Sequence, residues 1–348
     1  MSRGSDGVLA ARDVLDERPP ALRGPSPGGH NARVTSTPTD RSTRKGAWAG
    51  LLLVCSAGVV WGTIGPAVDV VHRSTSLSVL TIGAYRSIAA LAALALAATV
   101  ARRWPACRAL LREHGRRVAL VGVLTAAFQL LFFVAVVANG VSITTVVALG
   151  FAPVLLLLVT SARERRPPSL AQGLTVGTAV LGLLLVSTGG PAAVHAPHPT
   201  LGVLAALGSG AAYALSADVG GSLTQQHDAL AVTTCTVAVV AAVLVPGGIG
   251  LALLRGEPTG ASGVGAWMVI VYLGVVTMAF AYVLLYAGLR STPSGTAVVA
   301  TLLEPVTAIL IAVLFLGETL TLTGTLGCLL IVGAIGSLGR RMGQPQAQ

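Results

Sequence analysis

Long apolar stretches separated by short polar joints run through this chain from residue 47 onward. A helix needs roughly 20 residues to cross about 30 Å of hydrocarbon. Several joints, such as 138–142 and 290–295, are short and contain Gly or Pro, which favours antiparallel helical hairpins. The pattern therefore predicts an all-α polytopic membrane protein. Its ten predicted helices are 47–70, 76–100, 116–138, 141–162, 169–189, 199–220, 228–253, 263–290, 293–316 and 320–339.

Composition supports this class and excludes a soluble one. The chain is 53% hydrophobic and 10% charged, whereas soluble domains carry about 25% charged residues. The four cysteines form no CxxC or Cys/His spacing, so no metal site, cofactor or disulfide framework is predicted. No phosphate-binding glycine loop of the Walker type is present, so ATP-driven activity is not indicated.

The net charge of +10 comes from arginines clustered beside the apolar stretches. This placement indicates topology signals and contact with anionic lipids, and it gives no support to nucleic acid as a partner. With ten helices, one side carries two arginines, Arg73 and Arg255. The other side carries Arg3, Arg12, Arg18, Arg23, Arg33, Arg41, Arg44, Arg102, Arg103, Arg108, Arg112, Arg116, Arg117, Arg163, Arg165, Arg166, Arg290, Arg340 and Arg341. The positive-inside rule therefore predicts that both termini are cytoplasmic.

The two ends of the chain differ from the apolar body. Residues 1–46 are rich in Arg, Pro, Ser, Thr, Asp and Gly, and are predicted to be a disordered cytoplasmic tail. Residues 340–348 are predicted to be a short cytoplasmic C-terminal tail.

An internal repeat divides the apolar body into two halves. GVLTAAF (122–128) and GVVTMAF (274–280) are nearly identical, with an offset of 274 − 122 = 152. The same ungapped offset pairs Pro153 with Pro305 and Trp61 with Tyr213. Each half, 47–189 and 199–339, holds five predicted helices, so the second half enters the membrane from the opposite side. Inverted repeats of this kind are frequent in alternating-access transporters, with substrate bound near the midplane.

Several local motifs add a family resemblance. They are the Trp61-Gly62 pair, Arg86, the Pro153 helix with its ERR turn (164–166), LLEPV (302–306), LGE (316–318), and a final helix containing Gly324, Gly327 and Gly333. Together they resemble an EamA-type transporter of the drug/metabolite transporter superfamily. The resemblance covers about residues 47–339. It implies two inverted five-helix bundles around a central cavity and, as in most bacterial members, export of metabolites, amino acids or drugs.

The halves depart from each other at two positions that bear on chemistry. The second half has Tyr213-Ala214 where the first has Trp61-Gly62, and the first has Ala152 where the second has Glu304. Any proton or cation coupling is therefore expected to be asymmetric.

Glu304 and the two prolines are candidates for the substrate pathway. A carboxylate facing lipid near the membrane centre costs about 2.5–3.5 kcal/mol, so Glu304 is expected to face the interior. Two roles stay open for it: a proton-coupling group, or a structural hydrogen-bond acceptor. Pro153 and Pro305 each remove a backbone donor, and corresponding prolines in inverted repeats point to the central cavity. The alternative for both is a packing kink.

Arg86 and several aromatic residues complete the candidate set. Arg86 lies too deep to snorkel, so it needs an interior partner, for which Glu304, Asp69 and Asp218 are candidates. Alternatively Arg86 binds the carboxylate of an anionic or zwitterionic substrate. The aromatic candidates for the cavity lining, each of which has ordinary helix packing as its alternative, are Trp61, Phe128, Tyr213, Phe280 and Tyr282.

The function that follows is a secondary active transporter of the bacterial plasma membrane, exporting small metabolites, amino acids or drug-like compounds. An importer or facilitator is the alternative within transport. A membrane-embedded scaffold, sensor or enzyme is the alternative of another class, and an enzyme lacks support because no HExxH motif or paired intramembrane aspartates occur. The expected partners are a small-molecule substrate and lipids, and a homodimer stays open because the sequence does not fix the oligomeric state.

Overall fold

The computed structural model describes residues 38–188, 198–261, 263–315 and 321–342. Within these ranges the chain is helical and contains no β-strand. The α-helices are α1 (Pro38–Trp61), α2 (Ile64–Ser74), α3 (Val79–Val100), α4 (Trp104–Asn139), α5 (Val141–Glu164), α6 (Leu170–Thr188), α7 (Pro199–Thr224), α8 (Ala229–Val245), α9 (Leu251–Arg255), α10 (Val264–Gly274), α11 (Ala281–Leu289), α12 (Ser294–Ala300), α13 (Leu303–Phe315) and α14 (Leu322–Met342). Two π-helical turns, Pro246–Gly250 and Val275–Phe280, join α8 to α9 and α10 to α11.

These elements form ten candidate membrane spans, as the apolar pattern predicts. The seventh span, Ala229–Arg255, and the eighth, Val264–Leu289, each run through a π-helical turn. The first span, Gly46–Val68, is interrupted at residues 62–63, and the ninth, Ser294–Phe315, at residues 301–302. The protein is therefore a multi-pass membrane protein with several discontinuous helices.

Two helices extend beyond their predicted starts. α1 begins at Pro38, so residues 38–46 continue a helix where a disordered tail was predicted, while residues 1–37 lie outside the described part. α4 begins at Trp104 and not at 116, because Pro105 is well tolerated in a first helical turn and the basic segment behind it is helical. Its 36 residues leave helical geometry at His114, where the extension meets the membrane-crossing part.

The two halves pack by exchanging their first helices. α1 packs against α11, α12 and α13 of the second half, and α7 packs against α4 and α5 of the first half. Glycines permit the close approach: Gly58 lies against the backbone of Thr301, and its repeat partner Gly210 lies against the backbone of Ala148. Small residues at such crossings are the usual means of close helix packing in lipid. The interlocked halves place the middles of α1 and α7 in the centre of the bundle.

Candidate functional site

Two helix breaks meet at the centre of the bundle. The first lies at Gly62 and Thr63, between α1 and α2, where Pro66 has no N–H to donate to the Gly62 carbonyl. The second lies at Thr301 and Leu302, between α12 and α13, where Pro305 cannot donate to Thr301. A Cβ at Gly62 would lie 2.7 Å from the carbonyl oxygen of Glu304, so the breaks are in direct contact. Broken helices near the midplane are typical of substrate sites in transporters with inverted repeats.

The corresponding helices of the other repeat are continuous. α7 runs unbroken from Pro199 to Thr224, because Asp218 occupies the position that corresponds to Pro66 in the first half (218 − 66 = 152). α5 also continues through Pro153 from Val141 to Glu164. The two prolines therefore differ in their effect on the backbone, since the helix is broken at Pro305 and continuous at Pro153. The centre is asymmetric in backbone as well as in side chains.

Glu304 lies in the first turn of α13 and is the eleventh residue of the 22-residue span Ser294–Phe315. Its side chain is half-buried. A carboxylate there lies at the positive end of a half-helix, where the macrodipole favours negative charge. Glu304 is therefore held at mid-span by backbone geometry, as its position in the sequence led us to expect.

Arg86 has a partner that the sequence did not suggest. Its Nη2 donates to Oε1 of Gln129 at 3.1 Å, and Nε2 of Gln129 donates to the carbonyl of Thr125 at 3.3 Å. The side chain is 8% exposed, and its Nε is buried without a hydrogen-bond partner. Arg86 and Glu304 attract each other electrostatically but form no ion pair within 4.0 Å. One buried N–H of the guanidinium is therefore without a hydrogen-bond partner.

The other predicted partners of Arg86 are placed elsewhere. Asp218 pairs with Arg163 of α5, with Oδ2 2.6 Å from Nη1. The side chain of Asp69 lies outside the described residues. Gln129 was detectable as the one amide in the apolar run 118–138, but an isolated amide gives no indication of its partner.

Four of the five aromatic candidates form one cluster. Ring centroids are 5.4 Å apart for Trp61 and Tyr282, 6.3 Å for Trp61 and Tyr213, and 5.2 Å for Phe128 and Tyr213. These separations are within the favourable range for aromatic pairs. Tyr286, which the sequence did not select, extends the cluster at 6.2 Å from Tyr282.

The cluster is fixed by hydrogen bonds at the irregular parts of the helices. The indole Nε1 of Trp61 donates to the carbonyl of Thr277 at 2.9 Å, within the π-helical turn Val275–Phe280. The hydroxyls of Tyr213 and Thr301 lie 2.8 Å apart, beside the α12–α13 break. The first contact joins one repeat to the other, and the second lies within the second repeat. Such π-helical turns occur frequently at functional sites.

Phe280 lies apart from this cluster. It is 53% exposed and makes no described ring contact, whereas its repeat partner Phe128 packs on Tyr213. Phe280 is the last residue of the π-helical turn Val275–Phe280, where the wider winding changes side-chain directions relative to a regular helix. Phe128 and Phe280 therefore lie in different environments although the repeat offset pairs them.

A cavity of about 770 Å³ opens at the end of the bundle that carries Arg117 and Arg163, here called the arginine-rich end. It lies between α5, α6, α7 and α12 and reaches inward to Pro153 and Val299. Asp218 lines it and accepts from Ser294 Oγ at 2.9 Å, in addition to its pair with Arg163. Of the predicted pathway residues, Pro153 lines this cavity, and Glu304, Arg86 and the aromatic cluster do not.

Comparison with known proteins agrees with this architecture. The model of the EamA-like transporter family matches residues 48–188 and 200–339, one match for each repeat. The chain belongs to the EamA-like transporter family. It is therefore a transporter and not an enzyme, in agreement with the resemblance noted from its motifs.

Individual relatives of the chain are also named as transporters, and their names give no substrate. The chain is 28% identical over 302 residues to the uncharacterized transporter YwfM of Bacillus subtilis (strain 168), covering 81% of this chain and 90% of YwfM. It is 29% identical over 136 residues to an uncharacterized transporter of Archaeoglobus fulgidus, covering 39% and 47% of the two chains. A crystal structure of a protein superposes with a TM-score of 0.66 at 19% identity, over 84% of this chain and 99% of that chain, which shows a shared fold.

Proposed function

We propose that this EamA-family protein is a secondary active exporter of small metabolites, amino acids or drug-like compounds in the plasma membrane, with both termini cytoplasmic. The arginine-rich end is then the cytoplasmic end, in agreement with the positive-inside rule. The cavity of about 770 Å³ supports an inward-open state, because it connects that end with Pro153 near mid-span.

The observation that carries the proposal is the proximity of Glu304, at the break between α12 and α13, to the buried guanidinium of Arg86. The two opposite charges attract each other without an ion pair within 4.0 Å, and Arg86 Nε has no hydrogen-bond partner. A polar or zwitterionic cargo can enter between such groups and satisfy both. The aromatic cluster of Trp61, Tyr213 and Tyr282 supplies an apolar wall beside them, as ligand sites usually have.

Glu304 is assigned the coupling role in this proposal. A carboxylate at mid-span can exchange a proton with whichever side of the membrane the site faces, which is the requirement for proton-driven alternating access. Cargo binding near Arg86 in one state and proton binding at Glu304 in the other would then exclude each other.

The test is cargo-triggered proton movement in proteoliposomes with a pH-sensitive dye inside, screened with amino acids, amines, sugars and cationic dyes. The Glu304→Gln variant is compared with wild type and with Glu257→Gln, which changes an exposed acid near the end of the seventh span. A proton signal lost in Glu304→Gln and kept in Glu257→Gln supports coupling through Glu304. Cargo flux without proton movement, equal in all three proteins, contradicts it and makes the protein a facilitator.

Direction is tested by imposing a pH gradient of either sign on vesicles of known protein orientation. In vesicles whose outer surface carries the arginine-rich end, an exporter that exchanges cargo for protons accumulates cargo when the lumen is acidic. Accumulation in the same vesicles when the outside is acidic would mean that cargo and protons move together, as in a proton-driven importer.

A further inference from the structure

A second cluster of polar side chains lies at the arginine-rich end, away from the central site. It consists of Glu113 and His114 on α4 and His227 in the turn between α7 and α8. The possible ligand atoms of the three residues all lie within 4.8 Å of one another. The two imidazole rings are 5.1 Å apart between centroids, and Nε2 of His227 is 3.9 Å from Oε2 of Glu113.

The backbone holds this cluster in place from both sides. At His114, φ is −133° and ψ is 25°, so α4 leaves helical geometry at the residue that faces His227. The N–H of His227 donates to the Leu223 carbonyl at 2.9 Å, which closes the turn after α7. Asp228 then caps α8 by accepting from the Ala231 N–H at 3.1 Å. His227 is thereby fixed between two helix ends.

One atom of the cluster lacks a partner. Nε2 of His227 is buried and makes no hydrogen bond. Buried ring nitrogens are normally hydrogen-bonded or bound to a ligand. The Oε2 atom of Glu113, 3.9 Å away, is too distant for a hydrogen bond but close enough to share a metal ion. This nitrogen, which has no hydrogen-bond partner, is therefore a candidate ligand atom for a bound ion.

We propose that Glu113, His114 and His227 bind a divalent transition-metal ion of the zinc class. Two imidazoles and one carboxylate are a ligand set for Zn²⁺ and similar ions, whereas Mg²⁺ and Ca²⁺ prefer oxygen ligands throughout. Three protein ligands leave one position for water. Metal–ligand bonds of about 2.0–2.2 Å require the three donor atoms to move closer together. The side chain of Glu113 is 60% exposed and free to make most of that movement.

The charges around the cluster determine how strongly it is expected to bind a metal ion. Arg112, Arg116 and Arg117 lie beside the cluster on exposed positions and disfavour any cation by repulsion. Coordination bonds act at shorter range than this screened repulsion. We therefore expect saturable binding that is weaker than in a closed structural zinc site.

Metal binding at this place would connect the two repeats. Glu113 and His114 belong to the first repeat and His227 to the second, and α4 packs directly on α7 and α8. A bound ion would hold these elements together at the arginine-rich end and raise the stability of the folded protein. If the transport function proposed above is correct, the ion would also slow alternation; the binding itself does not depend on that function.

The full-length protein is purified in detergent with an affinity tag that contains no histidine, and bound metal is removed with a chelator. Zn²⁺ is then titrated into this protein. Thermal unfolding gives the stabilisation, and the visible absorption of bound Co²⁺ reports coordination directly. Wild type is compared with His227→Gln and with Glu113→Gln. His198→Gln is the matched control, because His198 is exposed at the start of α7 at the opposite end.

The expected result is a Zn²⁺-dependent rise in melting temperature with one ion bound per chain at this site. The affinity falls at least tenfold in His227→Gln and in Glu113→Gln and stays unchanged in His198→Gln. Glu113→Gln keeps the test valid if the His227 variant does not fold, since Glu113 is largely exposed. No rise in wild type, or a wild-type response in Glu113→Gln, overturns the proposal. An equal loss in His198→Gln would mean adventitious binding and would also overturn it.

Discussion

Trp61 donates its indole N–H to the carbonyl oxygen of Thr277 at 2.9 Å, across 216 residues of sequence. The donor ends α1 at the first helix break, and the acceptor lies in a π-helical turn of the opposite repeat. A side chain at one helix break therefore donates a hydrogen bond to the backbone of an irregular turn in the other repeat. In a bilayer this matters because no water is present to satisfy these groups instead.

Trp61→Phe keeps an aromatic ring and removes this hydrogen bond. Because the Thr277 carbonyl is left without the indole donor in a buried place, we expect a loss of about 1–3 kcal/mol in the free energy of unfolding. Thermal or denaturant unfolding in detergent measures it. Trp267→Phe is the control, since Trp267 donates to Ala261 at 3.2 Å near the surface, and its loss should be smaller. Equal losses in both variants would contradict the assignment.

Gln129→Leu removes the side chain that accepts from Arg86. The variant leaves a buried guanidinium with one more unpaired donor, so we expect destabilisation of about 1–3 kcal/mol or more, since the group is charged. In the double variant Arg86→Met/Gln129→Leu no charge stays behind, and stability should recover in part. A double-mutant cycle from unfolding measurements tests this coupling. Strictly additive losses would show that the two side chains act independently.

The class of protein, the ten spans and the two repeats were predictable because each depends on long apolar runs or on one constant offset. The position of Glu304 was predictable for the same reason, since the length of its span sets its depth. Its role in coupling, and the pathway roles of Trp61, Phe128, Tyr213 and Tyr282, stay predictions.

Other features needed three-dimensional information. Gln129 is an isolated amide in an apolar run, and its partnership with Arg86 depends on how α3 and α4 cross. The environment of Phe280 differs from that of its repeat partner Phe128, because the π-helical turn Val275–Phe280 breaks the regular helical geometry that a constant offset assumes. The pathway role of Phe280 stays a prediction. The LGE motif at 316–318 lies outside the described residues.

Gly62→Ala should destabilise the contact between the helix breaks. A Cβ there would lie 2.5 Å from the Cβ of Thr307 and 2.7 Å from the Glu304 carbonyl oxygen, so the backbones must separate. We expect a cost of about 1–3 kcal/mol, the usual range for overpacking. Gly65→Ala is the matched control, because nothing lies within 4 Å of a Cβ there. The free energies of unfolding of both variants in detergent test this prediction. A Gly62→Ala variant as stable as the wild type would mean that the two helix breaks are not in close contact.

Asp218→Asn should loosen the arginine-rich end of the cavity. Asp218 of α7 binds Arg163 of α5 at 2.6 Å and accepts from Ser294 of α12 at 2.9 Å, so one carboxylate connects three helices around the cavity. Because Arg163 is 63% exposed, the effect on stability should be small, about 0–1 kcal/mol. The effect on access should be larger, since the three helices lose their common partner.

Access to the cavity is measured by cysteine labelling in a parent protein in which the four native cysteines are replaced. In this parent, Leu156, a buried residue of the cavity wall, is changed to cysteine. We expect a water-soluble maleimide to label this position several-fold faster in Asp218→Asn than in the parent. Glu257→Gln is the control, because it removes an ion pair with Arg255 near the end of the seventh span. Unchanged labelling in Asp218→Asn, or the same acceleration in Glu257→Gln, would show that Asp218 does not restrict the cavity. Faster labelling confined to Asp218→Asn would identify this carboxylate as the group that holds α5, α7 and α12 together at the cavity entrance.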